Sequence, residues 1–339
     1  MKTRIALLVA LSLLAPTLLA QSKSGTAAAA FLEIPVGARG TSLGSAFVSL
    51  VNDASSLYWN PSGIARLDQN QASVSHTNWI AGTSLDFAAL VIPISGIGNL
   101  GFSFTQLSMG DMKVRTVELP EGTGEFFSAS DLALGVSYAR SLSDRFSIGF
   151  TGKYIQESIW HETAYAMAVD VGTSFRTDIF GGMIIGASLS NFGTSMRLAG
   201  RDARYFIRLD PTKQGTTDQI PTDVEFDAWN LPLLFQIGVS AMPLKTEDFA
   251  LSVAVDALHP SDYDETVNAG AEFSYRDFLF LRGGFNSIRD PNAEGGLSLG
   301  IGVTSAMFSS SSLKVTFDYA YRDMGRLENI QVITLGIAF

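Results

Sequence analysis

At 339 residues the chain is long enough for one large domain or two ordinary ones; its composition, 46% hydrophobic and 17% charged with 32 glycines and no cysteine, removes disulfides, thiolate catalysis, cysteine metal sites and a lipid-modified N-terminal cysteine together. A formal net charge of -10, with 23 Lys and Arg that never gather into a basic stripe, argues against nucleic acid as a partner. Three isolated histidines, His76, His161 and His259, and the lack of any HExxH, GxxxxGK or GxSxG pattern leave no catalytic, cofactor or metal site to nominate, so an enzyme is the least supported class.

Residues 1–20 read as an export signal. Lys2 and Arg4 precede an apolar run from Ile5 to Ala15, Pro16 and Thr17 interrupt it, and Leu18-Leu19-Ala20 leads into polar Gln21-Ser22-Lys23. Cleavage is expected after Ala20, although Leu18 is bulkier than the small residue usual there. No later segment offers about 18 uninterrupted apolar residues, which argues against a helical membrane protein.

Residues 21–70 have a different character. Ala27 to Ala30 are followed by Phe31, Ile34-Pro35-Val36 and the glycine-broken run Gly37 to Gly44. That run suits neither a long helix nor a membrane strand. Asn52 or Asp53 is placed to cap a short helical stretch over Ala54 to Tyr58, which Asn60-Pro61 ends. Phe31, Phe47, Leu50, Val51, Leu57, Tyr58 and Trp59 would expose much apolar surface if the segment hung in the periplasm, so filling of a lumen is favoured. Arg39 and Asp53 would then need luminal charges, with Asp170, Asp256 and Lys314 as the expected partners; a solvated place at a wet barrel mouth is the alternative for each.

From 71 to 339 the dominant pattern alternates at period two. Leu132, Leu134, Val136 and Tyr138 oppose Ala133, Gly135, Ser137 and Ala139; Phe146, Ile148 and Phe150 oppose Ser147, Gly149 and Thr151. A soluble sandwich also alternates, yet its second face would carry many Lys and Glu, whereas here that face is mostly Gly, Ala, Ser and Thr. Small residues suit a crowded interior and the large apolar side chains opposite them suit lipid. Strands are expected at about 71–79, 83–94, 98–108, 128–140, 144–158, 161–175, 179–190, 231–241, 248–258, 264–275, 278–286, 296–305, 312–321 and 329–339. The fold class is therefore all-β, a transmembrane antiparallel barrel of about 14 strands in an outer membrane, its lumen plugged by the N-terminal segment. Connections after even strands are short, while the long loops at about 109–127 and 191–230 follow odd strands, as a barrel with outer loops requires. The last strand, through Gln331, Ile333, Leu335, Ile337 and Phe339, must pair with the first, because an open edge has no partner in lipid.

The stretch from Val36 through Gly37-Ala38-Arg39-Gly40-Thr41-Ser42-Leu43-Gly44 to Val48, continued by Asn52-Asp53-Ala54-Ser55-Ser56-Leu57-Tyr58-Trp59-Asn60-Pro61-Ser62-Gly63, resembles the N-terminal signature of the PorV/PorQ family within the FadL-like outer-membrane proteins. The resemblance implies a fourteen-stranded barrel with a luminal hatch. Its Asn-Pro-Ala element corresponds to Asn60 and Pro61, with Ser62 in place of alanine, so Asn60, Pro61 and Gly63 are the expected hatch turn. It also implies two roles. One is passive transport of hydrophobic or amphipathic small molecules, with such a ligand or a detergent in the lumen. The other is association with type IX secretion, binding or presenting secreted cargo, with secretion-system proteins as partners. A nonspecific porin is disfavoured by the lumen-filling segment.

Overall fold

The computed structural model describes residues 25–179, 182–207, 220–288, 295–305 and 313–339. The expected export signal over 1–20 lies outside them. Fourteen long strands form a single ring among the described residues: β1 Gln71–Asn78, β2 Ser84–Ile94, β3 Gly98–Ser108, β4 Ala129–Ser141, β5 Phe146–Ile159, β6 Glu162–Arg176, β7 Ile184–Gly193, β8 Leu234–Lys245, β9 Phe249–Pro260, β10 Thr266–Tyr275, β11 Leu279–Phe285, β12 Leu297–Thr304, β13 Lys314–Asp323 and β14 Asn329–Ala338. Each pairs antiparallel with its sequence neighbours, and β14 returns to β1 with Gln71 opposite Ala338 and Asn78 opposite Gln331. One residue further on, Phe339 N donates to Asn70 O (2.9 Å) and Asn70 N to Phe339 O (3.1 Å), so the closing strand pairs to its last residue.

The two faces divide as the period-two pattern requires. On β4, Leu134, Val136 and Tyr138 are exposed while Ala133, Ser137 and Ala139 are buried. The same outward set recurs around the ring in Phe150, Met167, Phe235, Val255, Leu299, Phe317 and Leu335. A continuous apolar outer band of this kind is stable against hydrocarbon and not against water, which places the barrel in an outer membrane.

Two strands begin later than the sequence suggests. Thr177 N donates to Met183 O (2.8 Å), closing a turn just ahead of the strand, so β7 starts at Ile184. Pro232 has no N–H to give a ladder, and β8 starts beyond it at Leu234. The connection 109–128 and the described parts of the next long one, 194–207 and 220–233, lie at one end of the barrel, the outer end, whereas 95–97, 142–145, 246–248 and 276–278 turn tightly at the other. Within the outer loops, Ala199–Gly200 extends the edge of β6, Arg204–Ile207 pairs with Ile220–Asp223, and Met112–Lys113 pairs with Phe126–Phe127.

Residues 26–67 pass through the inside of this ring. Ala28 N donates to Asn230 O (2.9 Å) at the outer end, and Leu67 O accepts from Asn99 Nδ2 (2.7 Å) at the periplasmic end. Between them the chain makes only short turns, including helices α1 Ala38–Ser42 and α2 Ser56–Trp59. Gly37, at φ 79°, permits the abrupt entry into α1. Leu43, Phe47 and Trp59 pack together, with Phe47 edge-on to Trp59 at 5.9 Å between centroids.

The wall admits this segment because its inner face is small. A Cβ on Gly284 would lie 2.1 Å from the carbonyl carbon of Leu43, one on Gly149 2.4 Å from that of Pro61, and one on Gly172 2.1 Å from Asn60 Oδ1. Three wall glycines thus mark where the backbone or turn of the inner segment meets the strands.

Candidate functional site

Asn60 sits fully buried at the last of these contacts. Its Nδ2 donates to Val48 O (2.9 Å) and to Thr173 O on β6 (3.0 Å), while Oδ1 accepts from Ser62 N (3.1 Å) and Ser62 Oγ (2.7 Å). The hydroxyl of Ser62, which stands where the family element has alanine, is therefore satisfied inside the turn. Pro61 opens the 3-10 turn Pro61–Arg66, a position that requires no N–H. Gly63 leaves room for Ser56 Oγ and Val51, which a Cβ would approach to 2.7 Å.

A second cluster joins the inner segment to the opposite wall. Arg39 Nε and Nη2 donate to the two carboxylate oxygens of Glu272 on β10, each at 2.9 Å, and Nη1 reaches Asp53 Oδ2 (3.0 Å) and Asn52 Oδ1. Glu272 is shared: Arg282 Nε on β11 donates to its Oε2 (2.6 Å), and Arg282 Nη1 donates to Asp318 Oδ1 on β13 (2.5 Å). Arg39 also lies over the Phe47 ring at 5.2 Å. Two guanidinium groups and three carboxylates thus form one chain, buried at Glu272, Arg282 and Asp318 and partly exposed at Arg39 and Asp53, with each charge hydrogen-bonded.

The expected partners behave otherwise. Arg39 and Asp53 find each other, but Asp170 pairs with Lys153 Nζ (2.6 Å) and accepts from Asn191 N (2.8 Å), and Asp256 accepts from Val48 N (2.8 Å). Lys314 stands exposed at the periplasmic end of β13, and it forms no ion pair among the described residues. Glu272, Arg282 and Asp318 escape a reading of the sequence because each is a single charge on an otherwise small inner face. Their period-two position, inward on β10, β11 and β13, is the available signal.

Above the inner segment, at the outer end, lies a cavity of about 930 Å³. Phe31, Leu32, Glu33, Ile34 and Tyr58 contribute to it from the inner segment, and Leu107, Asp131, Glu157, Leu234, Leu258 and Arg322 from strands around the ring. Tyr58 Oη donates to Leu32 O (3.1 Å), which ties α2 to this first turn. Asn286, with its amide nitrogen toward Gly296 O (3.0 Å), offers its oxygen to Arg322 Nη2 (2.8 Å). The arrangement is one of binding surfaces. Among the described residues it includes no group of three potential metal ligands.

Burial, and then the nearby Asp262 carboxylate, push Glu33 up to about 7. The fold therefore favours protonated Glu33. The associated stability is fully present below the ordinary value of 4.5 and is lost as pH rises through about 7. Glu33→Gln is expected to flatten this loss: between about pH 5 and about pH 8.5 its urea midpoint falls less than that of the parent barrel. Equal falls in the two proteins would show that Glu33 is not the group responsible.

Known proteins resemble this chain in sequence over its first part and in fold over most of its length. A family model described as type IX secretion system protein PorV matches residues 18–217. No curated protein matches the chain in sequence. Among solved structures, the chain is similar to the CymD monoaromatic hydrocarbon channel, with 13% identity and a TM-score of 0.55 over 90% of this chain and 97% of that one. The toluene transporter TbuX of Ralstonia pickettii gives 12% identity and 0.54 over 90% and 97%, and a FadL homologue of Pseudomonas aeruginosa gives 13% and 0.52 over 90% and 98%. At such identities the likeness shows the fold, a FadL-like barrel along nearly its whole length.

Proposed function

The chain belongs to the family of the type IX secretion system protein PorV, and from that premise and the outer cavity we propose an outer-membrane barrel that binds hydrophobic or amphipathic molecules at its outer mouth and passes them inward passively. The carrying observation is the cavity itself. Its volume of about 930 Å³ lies in the range of small-molecule sites, with apolar groups from Phe31, Leu32 and Ile34 on one side and Leu107, Leu234 and Leu258 around it. CymD, a monoaromatic hydrocarbon channel, and TbuX, a toluene transporter, are consistent with this use of the barrel. Residues 21–70 serve as the hatch, with Asn60, Pro61 and Gly63 as its seated turn and the Arg39–Glu272–Arg282 chain as its fastening. Passage requires the hatch to yield.

In detergent-free nanodiscs, a long-chain amphiphile is expected to bind saturably, and the double variant Leu234→Lys, Leu258→Lys to weaken that binding by at least about tenfold, since each change places a charge where apolar contact is made. Absence of saturable binding by the parent protein sinks the transport reading.

Family membership favours a second reading, a barrel that binds or presents secreted proteins at the cell surface. The segment 191–230 is long enough for that task, and its described residues lie at the outer end. Replacing it by a short turn would then abolish surface display of secreted proteins while amphiphile binding persists.

A further inference from the structure

The outer cavity carries a pair of acidic side chains that the wall itself does not explain. Asp131 on β4 stands directly opposite Glu157 on β5, and the next residues in the same row are Leu107 on β3 and Ala164 on β6. The inward neighbours along the two strands are Ala133 and Ile155, both buried. Like charges directly opposite one another on a sheet oppose its pairing. No cation relieves them: Glu157 Oε1 accepts only from Ala29 N (2.8 Å), and the Asp131 side chain has no hydrogen bond or ion pair among the described residues. Lys153, which also faces the cavity, is already engaged by Asp170 and by Asn191 Oδ1 (2.9 Å).

A second observation points to an occupant. Gln236 faces the same cavity at 3% exposure, and its amide makes no hydrogen bond among the described residues, with Nε2 shielded from solvent. The unpaired Oε1 of this amide is an acceptor, and a bound N–H donor would satisfy it. Asp264 adds further acid to the lining and Arg322 offsets only part of it, so the field in the cavity favours positive charge.

We propose that the Asp131–Glu157 pair is the head-group subsite of the outer cavity for an organic cation, an ammonium or guanidinium borne on an apolar body. The charged group would sit between the two carboxylates and hydrogen-bond to both. Leu107, Leu32 and Trp79, which line the cavity too, would hold the body. The inference rests on the cavity-binding reading and narrows it to one charge class. The cation has two sources, a free amphipathic amine or a basic side chain on a polypeptide.

The test uses the whole barrel in uncharged nanodiscs at low salt, with octylamine, octanol and octanoate as probes. Octylamine is expected to bind at least about tenfold tighter than octanol. In the double variant Asp131→Asn, Glu157→Gln its affinity falls to that of octanol, with correct folding checked by heat-modifiable gel mobility. Displacement of octylamine by a short Leu-rich peptide with one Lys, but not by its acetyl-lysine form, assigns the subsite to a polypeptide; failure of both peptides assigns it to a free amine. Equal binding of amine and alcohol, or a preference surviving in the double variant, overturns the proposal while leaving cavity binding intact. Tightest binding of octanoate overturns it in favour of Arg322. Binding of none of the three overturns both readings.

Discussion

Deleting residues 26–67 is expected to convert a closed barrel into an ion-conducting one. Leu43, Phe47 and Val48 are fully buried within the ring, and the wall around them presents Gly, Ala, Ser and Thr with the charges of Glu272, Arg282 and Asp318. Without the inner segment those groups would line a polar, water-filled lumen, which is the condition for conduction in barrels of this kind. Single-channel conductance in a planar bilayer should therefore rise at least about tenfold over the intact protein, with strand content by circular dichroism retained. A deletion barrel that inserts and still conducts no better than the parent would show that the segment does not close the lumen.

Glu272→Ala should be the most damaging single luminal substitution. It strips Arg282, 2% exposed at its side chain, of one of its two carboxylates and takes from Arg39 both hydrogen bonds to the wall. Breaking a buried pair by removing one partner costs about 3–5 kcal/mol, because the remaining charge is still desolvated. Asp53→Asn should cost only about 1 kcal/mol or less: the carboxylate is a third exposed, and Arg39 keeps its grip on Glu272. The triple variant Glu272→Met, Arg282→Met, Asp318→Asn should recover part of the loss, since it removes Arg282 together with both carboxylate charges that it pairs and leaves Arg39 with Asp53. Urea titrations of barrels folded into lipid vesicles, compared at constant slope, would order the three variants. A Glu272→Ala barrel as stable as the parent would remove this cluster from any account of how the hatch is held.

Much of the wall could be read from residues alone. Alternation on β4, β5 and β6 determines which side chains face lipid, because at period two a strand has only two faces and Leu134 with Val136 cannot share one with Gly135. The late starts of β7 and β8 depend on how Thr177 closes its turn and on the N–H that Pro232 lacks, which are details of local hydrogen bonding and not of pattern. The ion pairs were less legible. Arg39 could be recognised as a charge needing a luminal partner, but choosing Glu272 over Asp170 or Asp256 requires knowing where around fourteen strands the inner segment leans. That position is set by contacts such as Leu43 against Gly284 and Asn60 against Gly172. The outer cavity was not legible either, since Phe31, Asp131, Gln236 and Arg322 lie far apart in sequence and meet only when the ring closes.

The path of the inner segment bears on how such a molecule can be made. Its chain enters beside Asn230 at the outer end and leaves beside Asn99 at the other, a few residues before β1 begins. A strand of polypeptide that runs from one mouth to the other cannot be slipped sideways into a finished ring. It is either threaded lengthwise past the wall glycines or already in place, like a rope through a hoop, when the hoop is joined. The joint is the seam between β1 and β14, and Asn70, where the rope ends, is the residue that Phe339 clasps. Phe339 thus shuts the ring beside the point where the threaded chain emerges, and the order of these two events, threading and shutting, is a kinetic property written into the topology.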